Sequence, residues 1–223
     1  MSNIMFVSLF LCWRITMLQL VWVLSANKLE DERNKYFDEN TTDELTQLRN
    51  SRSFMHTFQR YMGTYRFSDD FLCVAIADID FFKFYNDFYG QQKGDDCLRS
   101  IGGAFNKLKE TMGIYCARVG GEEFALLWFE KDISHVDTVV SEFNQLIGEL
   151  KIPHEKSYIC EYVTLSMGVH IEKCGFSSTK EELYNLADKA LYSAKANGRN
   201  CAIIRGRNIP QYRIKPSFTY DLL

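Results

Sequence analysis

The chain has 223 residues, 46% of them hydrophobic and 14% aromatic, which suits one large domain with a packed core and argues against a disordered chain. A formal net charge of −3 removes any global electrostatic case for nucleic acid as a partner. Seven scattered cysteines with no Cys-x-x-Cys pair argue against a disulfide framework or zinc site and for reduced thiols in a cytoplasmic fold.

Residues 4–26 are apolar apart from Ser8, Arg14, Thr16, Gln19 and Ser25, long enough to cross a membrane but divided by Arg14. Twelve Leu, Ile, Val and Phe residues contribute roughly −0.3 to −0.6 kcal/mol each, against about +2.5 to +3.5 for a central Arg. That balance leads us to expect a transmembrane helix over 1–27. No basic residue precedes the stretch, which argues against a cleaved signal peptide. Lys28, Arg33 and Lys35 follow it and favour a cytoplasmic C-terminal side. The alternative is an amphipathic or partner-packed helix, which would leave the chain cytoplasmic. Residues 28–42 are polar and read as a helical linker.

Asp43-Glu44-Leu45-Thr46 opens the globular part, and a helix is expected over about 50–65. Phe71 to Ala77 is a nearly unbroken apolar run, the pattern of a strand buried on both faces, and it ends in Asp78-Ile79-Asp80. Leu98, Ile101, Phe105 and Leu108 recur at helical spacing, with Gly113 as the stop. Ile114–Arg118 and Phe124–Phe129 read as a hairpin with Gly120, Gly121, Glu122 and Glu123 at its tip. The glycines are expected to supply positive φ and bare backbone. A helix over 136–150, a strand over 162–169, a helix carrying Leu183 to Ala194 and a strand over 201–204 complete an α/β sandwich.

Three groups of polar residues carry chemistry. Asp78 at a strand end and Glu122 at a hairpin tip can share a divalent cation, and hard oxygen ligands suit magnesium. Each also has an ordinary reading, as a helix cap or a solvated turn. Asn86 and Asp95 lie on a helix-and-turn segment and can pair with a guanine edge, or simply form a polar helix end. Lys195 and Arg199, around Gly198, can clamp phosphates or complement a helix dipole.

Taken together, these segments resemble the GGDEF domain of diguanylate cyclases. The resemblance rests on Asp43-Glu44-Leu45-Thr46 with Asn50, Asp78 to Lys83 with Asn86-Asp87, Gly94-Asp95 as a Gly-Asp turn, Gly120-Gly121-Glu122-Glu123-Phe124, and Ala187 to Tyr192 with Lys195 and Gly198-Arg199-Asn200. It implies a nucleotide-cyclase-like sandwich with a mostly antiparallel central sheet over 43–207 and a C-terminal tail over 208–223. Asp78, Glu122 and the Ile79 carbonyl would bind Mg2+, with Mn2+ as a substitute. Asn86 and Asp95 would read guanine. Lys83, Lys195, Arg199 and the amides of Phe81 and Phe82 would hold the triphosphate, with Glu123 supporting catalysis. The implied reaction is magnesium-dependent condensation of two GTP into cyclic di-GMP by a homodimer, a second messenger of the motile-to-biofilm switch. The implied location is a bacterial inner membrane, attached through residues 4–26. The rival reading is an inactive GGDEF module that binds GTP or docks without turnover. Gln47, Ser51 and Gln91 stand where the family has glycine, arginine and histidine. Thr111 and Ile114 stand where it has the Arg and Asp of an inhibitory product site.

Overall fold

The computed structural model describes residues 41–64, 68–175, 177–207 and 209–216, with the isolated positions 17, 25 and 28. The chain divides into two compact units, Met1–Thr41 and Thr42–Leu223. The expected transmembrane helix (1–27) and nearly all of the linker (28–42) lie outside the described residues. Among the described residues, no helix is long and apolar enough to cross a membrane.

The apolar run at 71–77 forms the middle of the sheet. It belongs to β2 (Phe71–Ile79), buried along almost its whole length. Cys73, Ala75, Ala77 and Ile79 face one core cluster, and Leu72, Val74 and Ile76 face another. That two-sided burial is why the run is continuous and does not alternate with polar residues.

Seven strands form one sheet in the order β1-β3-β4-β2-β5-β6-β7. The others are β1 (Arg49–Asn50), β3 (Tyr115–Arg118), β4 (Glu123–Glu130), β5 (Leu165–Lys173), β6 (Ala202–Gly206) and β7 (Ile209–Ile214). Pairings β1–β3 and β5–β6 are parallel and the rest antiparallel, so the sheet is mostly antiparallel, as expected. On one face lie α2 (Phe82–Tyr89), α3 (Gln91–Met112) and α4 (Ser134–Glu149), which supply Phe82, Ile101, Phe105 and Phe143 to the first cluster. On the other lie α1 (Ser51–Thr64) and α5 (Lys180–Ala196), with Phe54, Phe58, Leu183, Ala187 and Leu191 in the second.

Four local expectations change. Gly94 and Asp95 lie inside the first turns of α3, not in a loop turn. The strand expected at 162–169 runs instead over 165–173. It continues through His170 and Glu172, which are polar but nearly buried and paired at 3.1 Å, so neither interrupts it. The stretch read as a tail contributes β7, whose Tyr212 hydroxyl donates to Asp137 at 2.7 Å. Pro210 obscures that strand in the sequence, and its missing N–H is tolerated because β7 is an edge. Finally, neither Gly120 nor Gly121 has positive φ. A Cβ at Gly120 would instead meet Glu123 Oε2 at 2.7 Å and displace that carboxylate, whereas Gly121 is open. The cysteines at 73, 97, 116, 160, 174 and 201 are free, and Cys73, Cys97, Cys116 and Cys201 are buried.

Candidate active site

Antiparallel pairing of β2 with β4 places Asp78 opposite Glu123 and the hairpin tip beside the end of β2. The Ile79 amide donates to the Glu122 carbonyl at 3.3 Å, which brings Glu122 next to Asp78. The tip is tied down by Arg118. Its Nη2 donates to the Gly121 carbonyl at 2.6 Å, and its Nη1 to Asp43 Oδ1 at 3.2 Å. Asp43 also accepts from the Thr46 amide and hydroxyl. Burial pushes the Asp43 pKa up, but the Thr46 donors and the Arg118 guanidinium outweigh this and hold it below the usual range. The opening motif thus braces the hairpin tip, a role the sequence did not assign.

Asp78 is only 6% exposed, and Lys195 donates to its Oδ1 at 2.8 Å. Burial raises the Asp78 pKa despite Lys195 and Arg199. Glu122 is also raised, by burial first and then by the charge of Asp78. Two carboxylates that are each costly to ionise, one raised further by the other, form a place where a cation is favoured. Among the described residues no cluster of three or more His, Cys, Asp or Glu side chains could hold a metal. The donor set at hand is therefore the two carboxylates of Asp78 and Glu122. Such a set suits an ion that keeps water and substrate oxygens in its shell, as magnesium does.

Lys195 is in the last turn of α5, and Arg199 follows Gly198 (φ 95°) in a left-handed conformation (φ 61°). The Arg199 guanidinium lies 4.5 Å from the centre of the Phe81 ring. Phe81 is left-handed too (φ 57°) and precedes α2 without capping that helix by its side chain. The first amides of α2 have no partner within the helix, and the positive end of its dipole lies here. The buried His154 ring contacts the Phe81 carbonyl at 3.3 Å and fixes this turn. The Phe82 ring is buried in the core, so only its backbone is open to a ligand. Lys83 is exposed on the same turn.

Asn86 lies on α2 and Asp95 on α3, and the two helices meet where Asn86 faces Gly94. A Cβ at Gly94 would fall 1.8 Å from Asn86 Oδ1, so glycine here leaves room for the Asn86 side chain as it stands. That Oδ1 is buried and has no hydrogen-bond partner among the described residues. A buried acceptor left open suits a ligand edge that carries N–H donors. The structure therefore groups Asp78, Glu122 and Lys195, with the Ile79 amide bonded to the Glu122 carbonyl, joins Arg199 to them through the turn after α5 and to Phe81, and sets Asn86 against Gly94, the residue before Asp95. It shows no contact from Lys83 to either group, and Glu123 packs against Gly120.

The family described as diguanylate cyclase, GGDEF domain, matches residues 40–201. This chain belongs to the GGDEF family. Its sequence is 31% identical to diguanylate cyclase A of Treponema denticola over 174 residues, 77% of this chain and 46% of that protein. It is 32% identical to a diguanylate cyclase of Vibrio cholerae over 182 residues, 78% of this chain and 52% of that protein. The chain thus spans about half the length of these relatives. Among solved structures, the coiled coil and GGDEF domain of DgcB from Caulobacter crescentus, in complex with c-di-GMP, superposes with a TM-score of 0.68. It is 26% identical and covers 82% of this chain and 95% of that one. The active GGEEF domain of a diguanylate cyclase from Vibrio cholerae superposes at 0.58 with 31% identity, covering 71% and 97%. Thr164 and Ser166, which belong to none of the segments that carry the resemblance, hydrogen-bond to Asp80 together with the Asn200 backbone amide. No spacing rule links those positions in the sequence.

Proposed function

We infer that the domain condenses two GTP molecules into cyclic di-GMP. The observation that carries this reading is the convergence of Asp78 and Glu122 beside Lys195, with an open guanine-type subsite on α2 and α3. In the reaction, two 3′-oxygen-to-phosphorus bonds form, two phosphoanhydride bonds break and two pyrophosphates leave. Asp78, Glu122 and the Ile79 carbonyl hold Mg2+. That ion, when bound, stabilises negative charge on the attacking 3′-oxygen and the α-phosphate. Lys195 and Arg199, with the amides of Phe81 and Phe82 and the Lys83 ammonium, take up phosphate charge. Asn86 and Asp95 orient guanine, and Glu123 backs the site from β4. One domain holds one GTP, so a two-fold dimer is required to place two anions in line. Residues 4–26 attach the chain to a membrane on the hydropathy argument alone.

The test is incubation of the purified chain with GTP and magnesium, with the product identified by mass. Cyclic di-GMP and pyrophosphate are expected. Asp78→Asn and Glu122→Gln should each abolish synthesis while leaving the circular dichroism spectrum unchanged. Removing a charged ligand from a hard-cation site is far costlier than an ordinary surface change. GTP binding without product in the wild-type chain would favour a docking module instead.

A further inference from the structure

Asp80 follows Asp78 by two positions, is 2% exposed, and has no role in the reading above. Its Oδ1 accepts from the Ser166 hydroxyl at 2.7 Å. Its Oδ2 accepts from the Thr164 hydroxyl at 2.8 Å and the Asn200 amide at 3.0 Å. The end of β2, the head of β5 and the turn after α5 therefore meet on one carboxylate. Both oxygens accept from protein donors, so one buried carboxylate ties these three segments together.

The turn it clamps is unusual. Gly198, Arg199 and Asn200 have φ of 95°, 61° and 44° in succession, and two of the three carry a Cβ that disfavours this region. Such a conformation persists only where surrounding contacts enforce it. The Arg199 amide donates to the Ala194 carbonyl at 3.0 Å, and its Nη1 donates to the Lys195 carbonyl at 3.4 Å. Its Nε lies 4.0 Å from Asp80 Oδ1. The guanidinium is thus held between the Asp80 carboxylate and the Phe81 ring.

We propose that Asp80 is a positioning residue for polyphosphate: it clamps the left-handed Arg199–Asn200 turn to the head of β5 and so aims the Arg199 guanidinium at the phosphate end of the nucleotide site. This rests on the GTP reading, and it separates phosphate recognition from base recognition. Asn86 and Asp95 lie on α2 and α3 and make no contact with the clamp among the interactions described above.

The experiment measures dissociation constants of GTP and of guanosine 5′-monophosphate by calorimetry at fixed magnesium. Asp80→Asn keeps the shape, because its amide oxygen can still accept from Thr164 and the Asn200 amide while its NH2 donates to the Ser166 hydroxyl, but it removes the carboxylate charge that faces Arg199. It is expected to weaken GTP roughly ten-fold, the scale of one lost charge-assisted bond. The monophosphate should stay within about two-fold. In an Arg199→Ala background, Asp80→Asn should cost almost nothing further, since the group it aims is gone. Thr164→Val, which removes one donor without changing shape, should give the same pattern at smaller amplitude, and it decides the matter if Asp80→Asn does not fold. Equal losses for both nucleotides, or additive losses with Arg199→Ala, would overturn the proposal. If the wild-type chain binds the monophosphate but not GTP more tightly, the proposal also fails. If it binds neither nucleotide, the GTP reading itself is what fails.

Discussion

Gln47 occupies a position where the family pattern has glycine, and its φ of 59° shows why. The Asp43–Leu48 turn, closed by bonds from the Asp43 amide to the Leu48 carbonyl and from the Gln47 amide to the Asp43 carbonyl, needs a left-handed residue there. Gln47 offsets part of the strain by donating from Nε2 to the Glu44 carbonyl at 2.7 Å. Gln47→Gly should therefore stabilise the domain by up to about 1 kcal/mol, the left-handed penalty less the extra entropy of an unfolded glycine. A urea titration measures it, and a lower midpoint would mean the side-chain bond outweighs the strain. Because Asp43 grips Arg118, and Arg118 grips the hairpin tip, this small turn is mechanically continuous with Glu122.

Among the elements, α5 and the turn that follows it carry Lys195 and Arg199, and the seating of α5 on the sheet is controlled by Gly168 in β5. A Cβ at Gly168 would lie 2.0 Å from the Leu191 amide nitrogen and 2.3 Å from the Ala187 carbonyl oxygen. These are backbone atoms and cannot swing aside. Gly168→Ala should destabilise by about 3 kcal/mol or more, at the upper end for overpacking, and should weaken GTP binding because Lys195 and Arg199 shift with the helix. Gly103, exposed in the middle of α3 with nothing near its would-be Cβ, is the matched control. Gly103→Ala should stabilise by roughly 0.5–1 kcal/mol. Thermal melts of the two variants should move in opposite directions.

For the molecule as a whole, the site is a stability cost that function requires. The pKa values of Asp78, Asp80 and Glu122 are raised, chiefly by burial. A carboxyl raised in the folded state contributes stability below its unfolded pKa, and that contribution is lost as pH rises through the folded value. Asp43, held low, behaves oppositely: its contribution is present above the ordinary value of 3.8 and is lost as pH falls through its folded value. Glu122→Gln should therefore raise Tm at neutral pH, and the gain should shrink as pH falls toward the ordinary glutamate value of 4.5. Added magnesium should raise the Tm of the wild type more than that of Glu122→Gln, because a ligand of the native state stabilises it by mass action. A pH-independent Tm difference between the two proteins would count against the burial of an ionised Glu122. Regulation is the other property at this scale. Thr111 donates its hydroxyl to the Lys107 carbonyl at 2.9 Å within α3, and Ile114 is 1% exposed in the core. Two charge-assisted contacts of an inhibitory site, worth roughly 1.5–3 kcal/mol each, are thus replaced by a spent hydroxyl and a buried alkyl group. Initial rates against added cyclic di-GMP at several GTP concentrations should show competition with GTP alone. A non-competitive component at micromolar product would place an inhibitory site elsewhere.

Much of this organisation was already present in the one-dimensional pattern. The two-sided strand at 71–79, the periodic faces of α3, α4 and α5, and the stops at Gly113 and Gly198 follow from local forces: burial period, helix spacing and glycine conformation. Asp78 and Lys195, two of the residues proposed for the site, stand out in the sequence because each sits near the end of such an element. Tertiary structure alone decided what lies between them. The Asp80 clamp joins residues 80, 164, 166 and 200, and the Arg118 bridge joins 43, 118 and 121. No periodicity connects positions so far apart, and only sheet pairing brings them together. The edge strand β7 stayed hidden behind Pro210 because an edge strand draws its order from a neighbour already in place. Gly168 is set by contact as well. Its role comes from the helix backbone that approaches it, and no sequence pattern records that approach.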